Sequence, residues 1–169
     1  AANPAGTDGF EFVEFAHPQP EQLRDLFARM GFALTARHKT RLIELWQQGD
    51  VTYVLNDDSQ SHAARFVAEH GPCAPSMGWR VVDAAHAFAH AVAAGAKPYQ
   101  GGDKTLDVTA IIGIGGSLIY FIDQYGENSR QVQAFDEAAK ATEDGGAVKL
   151  SDVASMRSQF TNLSGDFVK

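Results

Sequence analysis

The stretch Ile111–Gly126, "IIGIGGSLIYFIDQYG", sets Gly113, Gly115 and Gly116 ahead of a continuous apolar run. Such glycines invite a phosphate-binding reading, and the context excludes it. A dinucleotide fingerprint needs a third glycine where Leu118 stands and a helix after it. Instead the chain continues as "SLIYFID", a β-branched and aromatic run. A Walker loop needs Gly-Lys-Ser/Thr, and no lysine lies between Lys104 and Lys140. The glycines therefore read as a hairpin turn, where positive φ and close backbone approach are required.

The same stretch has an echo upstream. "GDVTYVLND" (Gly49–Asp57) matches "GSLIYFIDQ" (Gly116–Gln124) at an offset of 67, which sets Tyr53 on Tyr120 and Leu55 on Ile122. Further upstream the offset is 64: Gly31 falls on Gly95, Val13 on Met77 and Phe15 on Trp79. Two copies of one unit are implied.

The contents of each unit emerge from periodicity. "GFEFVEFAHP" is a strand with apolar side chains on both faces, as in a strand covered on two sides. In "PQPEQLRDLFARMGF", Leu23, Leu26, Phe27 and Met30 form one stripe of an amphipathic helix, introduced by prolines and ended by Gly31. "FALTARH", "RLIELWQQ" and "VTYVLNDD" predict three strands, and "DSQSHAARFVAEHG" a short helix. The second copy begins at "SMGWRVVD". A helix capped by Asp83 comes next, then strands in "KPYQGG", "LDVTAII" and "SLIYFIDQ". The expected fold is α+β: tandem βαβββ units forming a curved mixed sheet over residues 1–126, with unit one at about 9–58 and unit two at about 72–126. Residues 127–169 read as a helical tail or linker, with Val153, Met156, Phe160 and Leu163 on one stripe.

Of 169 residues, 44% are hydrophobic and 21% charged, as in an ordinary globular domain. The net charge of −7 argues against nucleic acid or anionic lipid as a partner, and no apolar run is long enough to span a membrane. Cys73 is the only cysteine, so no intrachain disulfide forms and a cytoplasmic setting is expected, with the thiol as a small apolar filler.

The titratable groups have simple structural roles to set against chemical ones. His86 and His90 share a helix face opposite Phe88 and Val92, which makes it a solvated face. Glu11 and Glu14 are expected on opposite sides of their strand, one facing solvent and one buried against an arginine such as Arg80. His38 and Glu44 lie on adjacent strands and are weak candidate metal ligands, lacking a third.

A tandem βαβββ repeat resembles the vicinal oxygen chelate superfamily, which includes glyoxalase I, bleomycin-resistance proteins and extradiol dioxygenases. More specifically, "NPAGTDGFEFVEFAHP", "LFARMGF", "ARHKT", "QGDVTYVLN", "ARFVAEHGP", "RVVDA" and "GIGGSLIYFIDQYG" resemble the N-terminal domain of bacterial 4-hydroxyphenylpyruvate dioxygenases, from about Asn3 to Gly126. That resemblance implies an oxidoreductase of tyrosine catabolism that forms homogentisate with Fe(II) on two histidines and a glutamate. Those ligands belong to the family's C-terminal catalytic domain, whose positions are absent here. No catalytic residue and no cofactor is therefore expected in this chain. The expected role is scaffold, assembly or binding, with a homo-oligomer or a catalytic domain as partner. Two alternatives stand beside it. One is a metal-free small-molecule binder of bleomycin-resistance type, taking an aromatic or cationic ligand in a cavity lined by Glu14, Trp46, Trp79, Arg80 and Tyr120. The other is a standalone glyoxalase-type metalloenzyme built on His38 and Glu44.

Overall fold

The first helix forms where a proline-led start meets a spaced apolar stripe. α1 (Pro20–Arg29) has Pro at its first position, Glu21 in its first turn and Arg29 in its last. It ends at Gly31, whose φ of +92° lets Phe32 N–H reach back to Phe27 O at 2.9 Å. Between the two repeat copies, α2 (His62–His70) is capped by the Ser61 hydroxyl. In the second copy α3 (Ala84–Ala93) starts on Asp83, whose carboxylate accepts the His86 N–H at 2.8 Å, and ends before Gly95.

The computed structural model describes residues 2–125 and the backbone of 167–168; the expected helical tail over 127–169 lies outside the described residues. The strands are β1 (Thr7–Ala16), β2 (Ala33–His38), β3 (Ile43–Gln48), β4 (Val51–Asn56), β5 (Cys73–Val81), β6 (Lys97–Pro98), β7 (Ala110–Ile112), β8 (Leu118–Ile122) and β9 (Phe167–Val168). They form one mixed sheet in the order β6-β7-β8-β5-β1-β4-β3-β2-β9. β1 runs parallel to β4 and β5 parallel to β8, while β1 and β5 join antiparallel at the centre. This is the tandem βαβββ arrangement that the repeat predicts.

Register sharpens the repeat. Val13 pairs directly with Met77, its own counterpart in the other unit, so the approximate two-fold axis passes between them. Val13 also pairs with Tyr53 and Met77 with Ile119, which carries Tyr53 onto Ile119 at an offset of 66. The offset of 67, with Tyr53 on Tyr120, is thereby corrected. A slip of one residue turns every side chain to the other face of a sheet. Tyr53 packs beneath α1 with Phe15 and Phe27, whereas Tyr120 is buried on the opposite face with Phe12 and Leu118.

The sheet accordingly has two unlike faces. One is covered by the helices: Phe15, Tyr53, Leu55 and Trp46 meet α1, while Val81, Ile111 and Phe121 meet α3. The other carries Phe12, Leu45, Val54, Leu118, Tyr120 and Ile122. This second face is covered by residues 99–109, where Leu106 joins the core and Tyr99 and Val108 pack against it. The strand expected over 106–112 is thus shortened to β7, because its first half leaves the sheet edge to cross the face. The hairpin reading of Gly113–Gly116 holds: Gly115 and Gly116 take φ of +65° and +86°, and Gly113 N–H donates to Ser117 O at 2.7 Å.

Candidate functional site

Residues 99–109 form a strap over one face of the sheet, and at the middle of that face, beside the two-fold axis, β1 presents Glu14. Its side chain is only 1% exposed. One carboxylate oxygen accepts the Ser76 hydroxyl of β5 at 2.9 Å. The other accepts the Asn56 amide at the end of β4 at 3.1 Å, together with the Thr105 hydroxyl of the strap. Asn56 also donates to Thr105 Oγ1 at 3.1 Å, and the Thr105 N–H donates to Tyr120 Oη at 3.0 Å. The knot joins both repeat units and the strap through neutral donors. A buried carboxylate held this way costs desolvation that its hydrogen bonds offset. Burial, and then the charge of Glu14, push the Tyr120 phenol well above its ordinary range, so it stays a neutral hydroxyl.

Glu11 lies nearer the end of β1. Phe10 pairs with Trp79 and Phe12 with Gly78, so β1 holds one extra residue against β5, a bulge at Glu11. Glu11 and Phe12 are both buried as a result. Both glutamates are therefore internal, Glu11 at 2% and Glu14 at 1% exposure, which corrects the expectation that one of them faces solvent. Arg80 Nε donates to Glu11 at 2.6 Å, as expected for one of the pair, and the Tyr125 ring lies 5.4 Å from the guanidinium. Burial raises the Glu11 carboxyl above its ordinary value, and Arg80 only partly opposes this.

The remaining candidates are dispersed. Trp46 sits beneath α1 against Phe27 and donates its indole N–H to Glu44 at 3.1 Å. Trp79 stands on the helix-covered face, edge-on to Phe10, with an indole nitrogen that finds no partner among the described residues. Of the five cavity candidates, Glu14 and Tyr120 share the central knot, Arg80 lies beside it on the same face, and the two tryptophans lie on the other. Glu44 is engaged by Arg24 Nε at 3.0 Å and by Trp46, while His38 Nδ1 accepts the Thr40 and Arg41 N–H groups. Among the described residues, neither His38 nor Glu44 belongs to a group of three or more histidine, cysteine or carboxylate side chains that could hold a metal ion. His86 and His90 are exposed, with His86 Nε2 2.8 Å from Pro4 O. Cys73 is half-buried, and burial followed by the charge of Glu14 raises its thiol. Asn56, Ser76 and Thr105 are the members of the knot that the sequence did not single out. Asn56 and Ser76 carry a faint signal, as polar residues at inward positions of apolar strands. Thr105 carries none.

The family described as hydroxyphenylpyruvate dioxygenase, N-terminal, matches residues 1–138. Hemolysin VllY of Vibrio vulnificus is 43% identical over 148 residues, covering 83% of this chain and 42% of its own length. The 4-hydroxyphenylpyruvate dioxygenase of Pseudomonas aeruginosa is 46% identical over 132 residues, covering 75% of this chain and 37% of that enzyme. Among solved structures, a fusion of a xylose isomerase-like TIM barrel with a 4-hydroxyphenylpyruvate dioxygenase superimposes with a TM-score of 0.67 at 32% identity, covering 75% of this chain and 21% of the fusion. The chain thus spans well under half the length of these relatives. No helix among the described residues is long and apolar enough to cross a membrane.

Proposed function

Since the chain belongs to the family of hydroxyphenylpyruvate dioxygenase N-terminal domains, we propose that it is the supporting, non-catalytic half of such a dioxygenase. The catalytic domain is its partner, and the pair serves tyrosine catabolism in the cytoplasm. One observation carries the reading: the face where a βαβββ pair would hold its reactive group is filled by a hydrogen-bonded knot of neutral donors around one carboxylate. Fe(II), which the family resemblance implies, calls for two imidazoles and a carboxylate with open positions. Glu14, Asn56, Ser76, Thr105 and Tyr120 do not fit that demand, since they offer one carboxylate and no imidazole. The small-molecule-binder reading is less favoured, because Thr105 and Leu106 occupy the face on which a ligand would lie.

The test is oxygen uptake by the purified chain with Fe(II), ascorbate and 4-hydroxyphenylpyruvate. Uptake at the protein-free background is expected. Robust turnover would overturn the proposal.

A further inference from the structure

The two repeat units differ most in one connection. In unit one, β2 and β3 are joined by residues 39–42; in unit two, the corresponding β6 and β7 are joined by the strap, residues 99–109. The longer connection crosses the face that both units share. It inserts Thr105 and Leu106, which are 5% and 3% exposed, between otherwise continuous sheet side chains.

A few single backbone bonds hold the strap, with Asp103 O accepting the His62 N–H at 3.0 Å and Thr109 O the Phe121 N–H at 3.4 Å, and its outer side-chain fastenings come from unit one and α2. Arg41 donates to Lys104 O at 2.7 Å while its Nε holds Asp58 at 2.6 Å. Arg65 on α2 donates to Tyr99 Oη at 3.0 Å and forms an ion pair with Asp103, and Tyr99 in turn donates to Asp103 at 2.7 Å. Gly101 makes the bend possible: a Cβ there would meet Tyr99 Oη at 2.4 Å. The Arg65 pair lies at the rim, with Arg65 60% exposed, where an ion pair is weak, whereas the Arg41–Asp58 pair is more deeply set, at 24% and 15% exposure. The sheet beneath is held independently by its own ladders. A segment attached by side chains and a few single backbone bonds, over a sheet with continuous ladders of its own, is the kind that opens locally.

We propose that residues 99–109 are a removable occupant of this face, opening as a unit while the sheet stays folded. In the closed form the Thr105 hydroxyl and N–H serve Glu14 and Tyr120 in place of an outside molecule. Opening exposes one carboxylate, an amide and two hydroxyls on an apolar floor of Phe12, Leu45 and Val54. These are the groups that Thr105 and Leu106 cover in the closed form.

The test places a thiol beneath the strap. In a Cys73→Ser background, Ser76→Cys gives a near-isosteric reporter, and Ala36→Cys on the same face is a second one should the first fail to fold. Ala87→Cys, on the buried face of α3, is the control for global opening. Alkylation by iodoacetamide is followed by mass spectrometry and compared with the unfolding rate measured by tryptophan fluorescence. The reporters beneath the strap are expected to react at least tenfold faster than the Ala87→Cys control. Adding Arg65→Ala is expected to accelerate them about fivefold further, as loss of a rim ion pair would, and to leave the control unchanged. Reaction only at the unfolding rate, or a rate indifferent to Arg65→Ala, would overturn the proposal.

Discussion

Gly78→Ala tests the packing of the strap-covered face most directly. Gly78 pairs with Phe12 across the central β1–β5 junction and with Tyr120 on β8. A Cβ at this position would stand 2.4 Å from Phe12 Cε1, 2.6 Å from Cδ1 and 3.1 Å from Cζ. Ordinary contact begins near 3.4 Å, so the ring must retreat by about an ångström. It has nowhere to go, being 2% exposed and packed against the Tyr120 ring at 5.8 Å. Overpacking of a close-packed core costs roughly 1–3 kcal/mol, occasionally more, and a ring fixed on all sides belongs at the upper end. Because the backbone of Gly78 is not in the left-handed region, alanine gains about 0.4–1 kcal/mol from the unfolded state. The net expectation is a loss of about 2 kcal/mol. Urea unfolding should show a lower midpoint at unchanged slope. Gly102→Ala is the control: open space surrounds it, so it should be neutral or slightly stabilising. Phe12→Leu makes room, so combining it with Gly78→Ala should recover at least about 1 kcal/mol relative to the sum of the single changes. A Gly78→Ala protein within about 0.5 kcal/mol of the parent, or an additive double variant, would refute the reasoning.

Arg80→Ala should be far worse than Glu11→Gln, since it strands a buried carboxylate, at a cost of about 3 kcal/mol by chemical denaturation. Because burial raises the Glu11 carboxyl above 4.5, its folded form holds a proton longer than the unfolded chain does, and stability falls as pH rises through that window. Glu11→Gln should flatten this slope in a pH series of melting curves. Asp58 and Asp103 shift the other way: burial raises each, but bonds from Gln60 N–H and Arg41, and from Tyr99 and Arg65, outweigh it and hold them below 3.8. Their stabilisation is complete above pH 3.8 and is lost below it, so acid should free the strap before the sheet unfolds, seen as early loss of amide protection at Thr105. Asp83→Ala removes the cap of α3 and should cost about 1 kcal/mol in the same urea assay.

Much of the fold is written locally. The stripe of Leu23, Leu26, Phe27 and Met30, the capping residue Asp83 and the stops at Gly31 and Gly95 each act within a turn or two. Their meaning survives in isolation. Register is different. Two tyrosines in similar surroundings suggest an offset of 67, yet the face of Tyr120 is set by its pairing with Gly78, which no local pattern encodes. The bulge at Glu11 likewise arises between strands, and it draws inward a carboxylate that strict alternation leaves outside. The central knot is the least legible part. Asn56, Ser76 and Thr105 come within reach of Glu14 only after β1, β4, β5 and the strap have assembled, and Thr105 directly precedes a run, residues 106–112, whose pattern predicts one continuous strand.

The pairing of Val13 with Met77 makes the domain resemble a dimer whose subunits happen to be tethered. Six register pairs hold β1 to β5, while the chain itself crosses from one half to the other only through residues 57–72. Cutting the exposed turn at Ser59–Gln60 would leave every strand pairing of the described domain intact. Two separate polypeptides, one ending at Ser59 and one beginning at Gln60, should therefore find each other and restore the sheet. The strap would then act as a clasp between strangers, since Arg41, Asn56 and Glu14 of one piece hold Lys104 and Thr105 of the other.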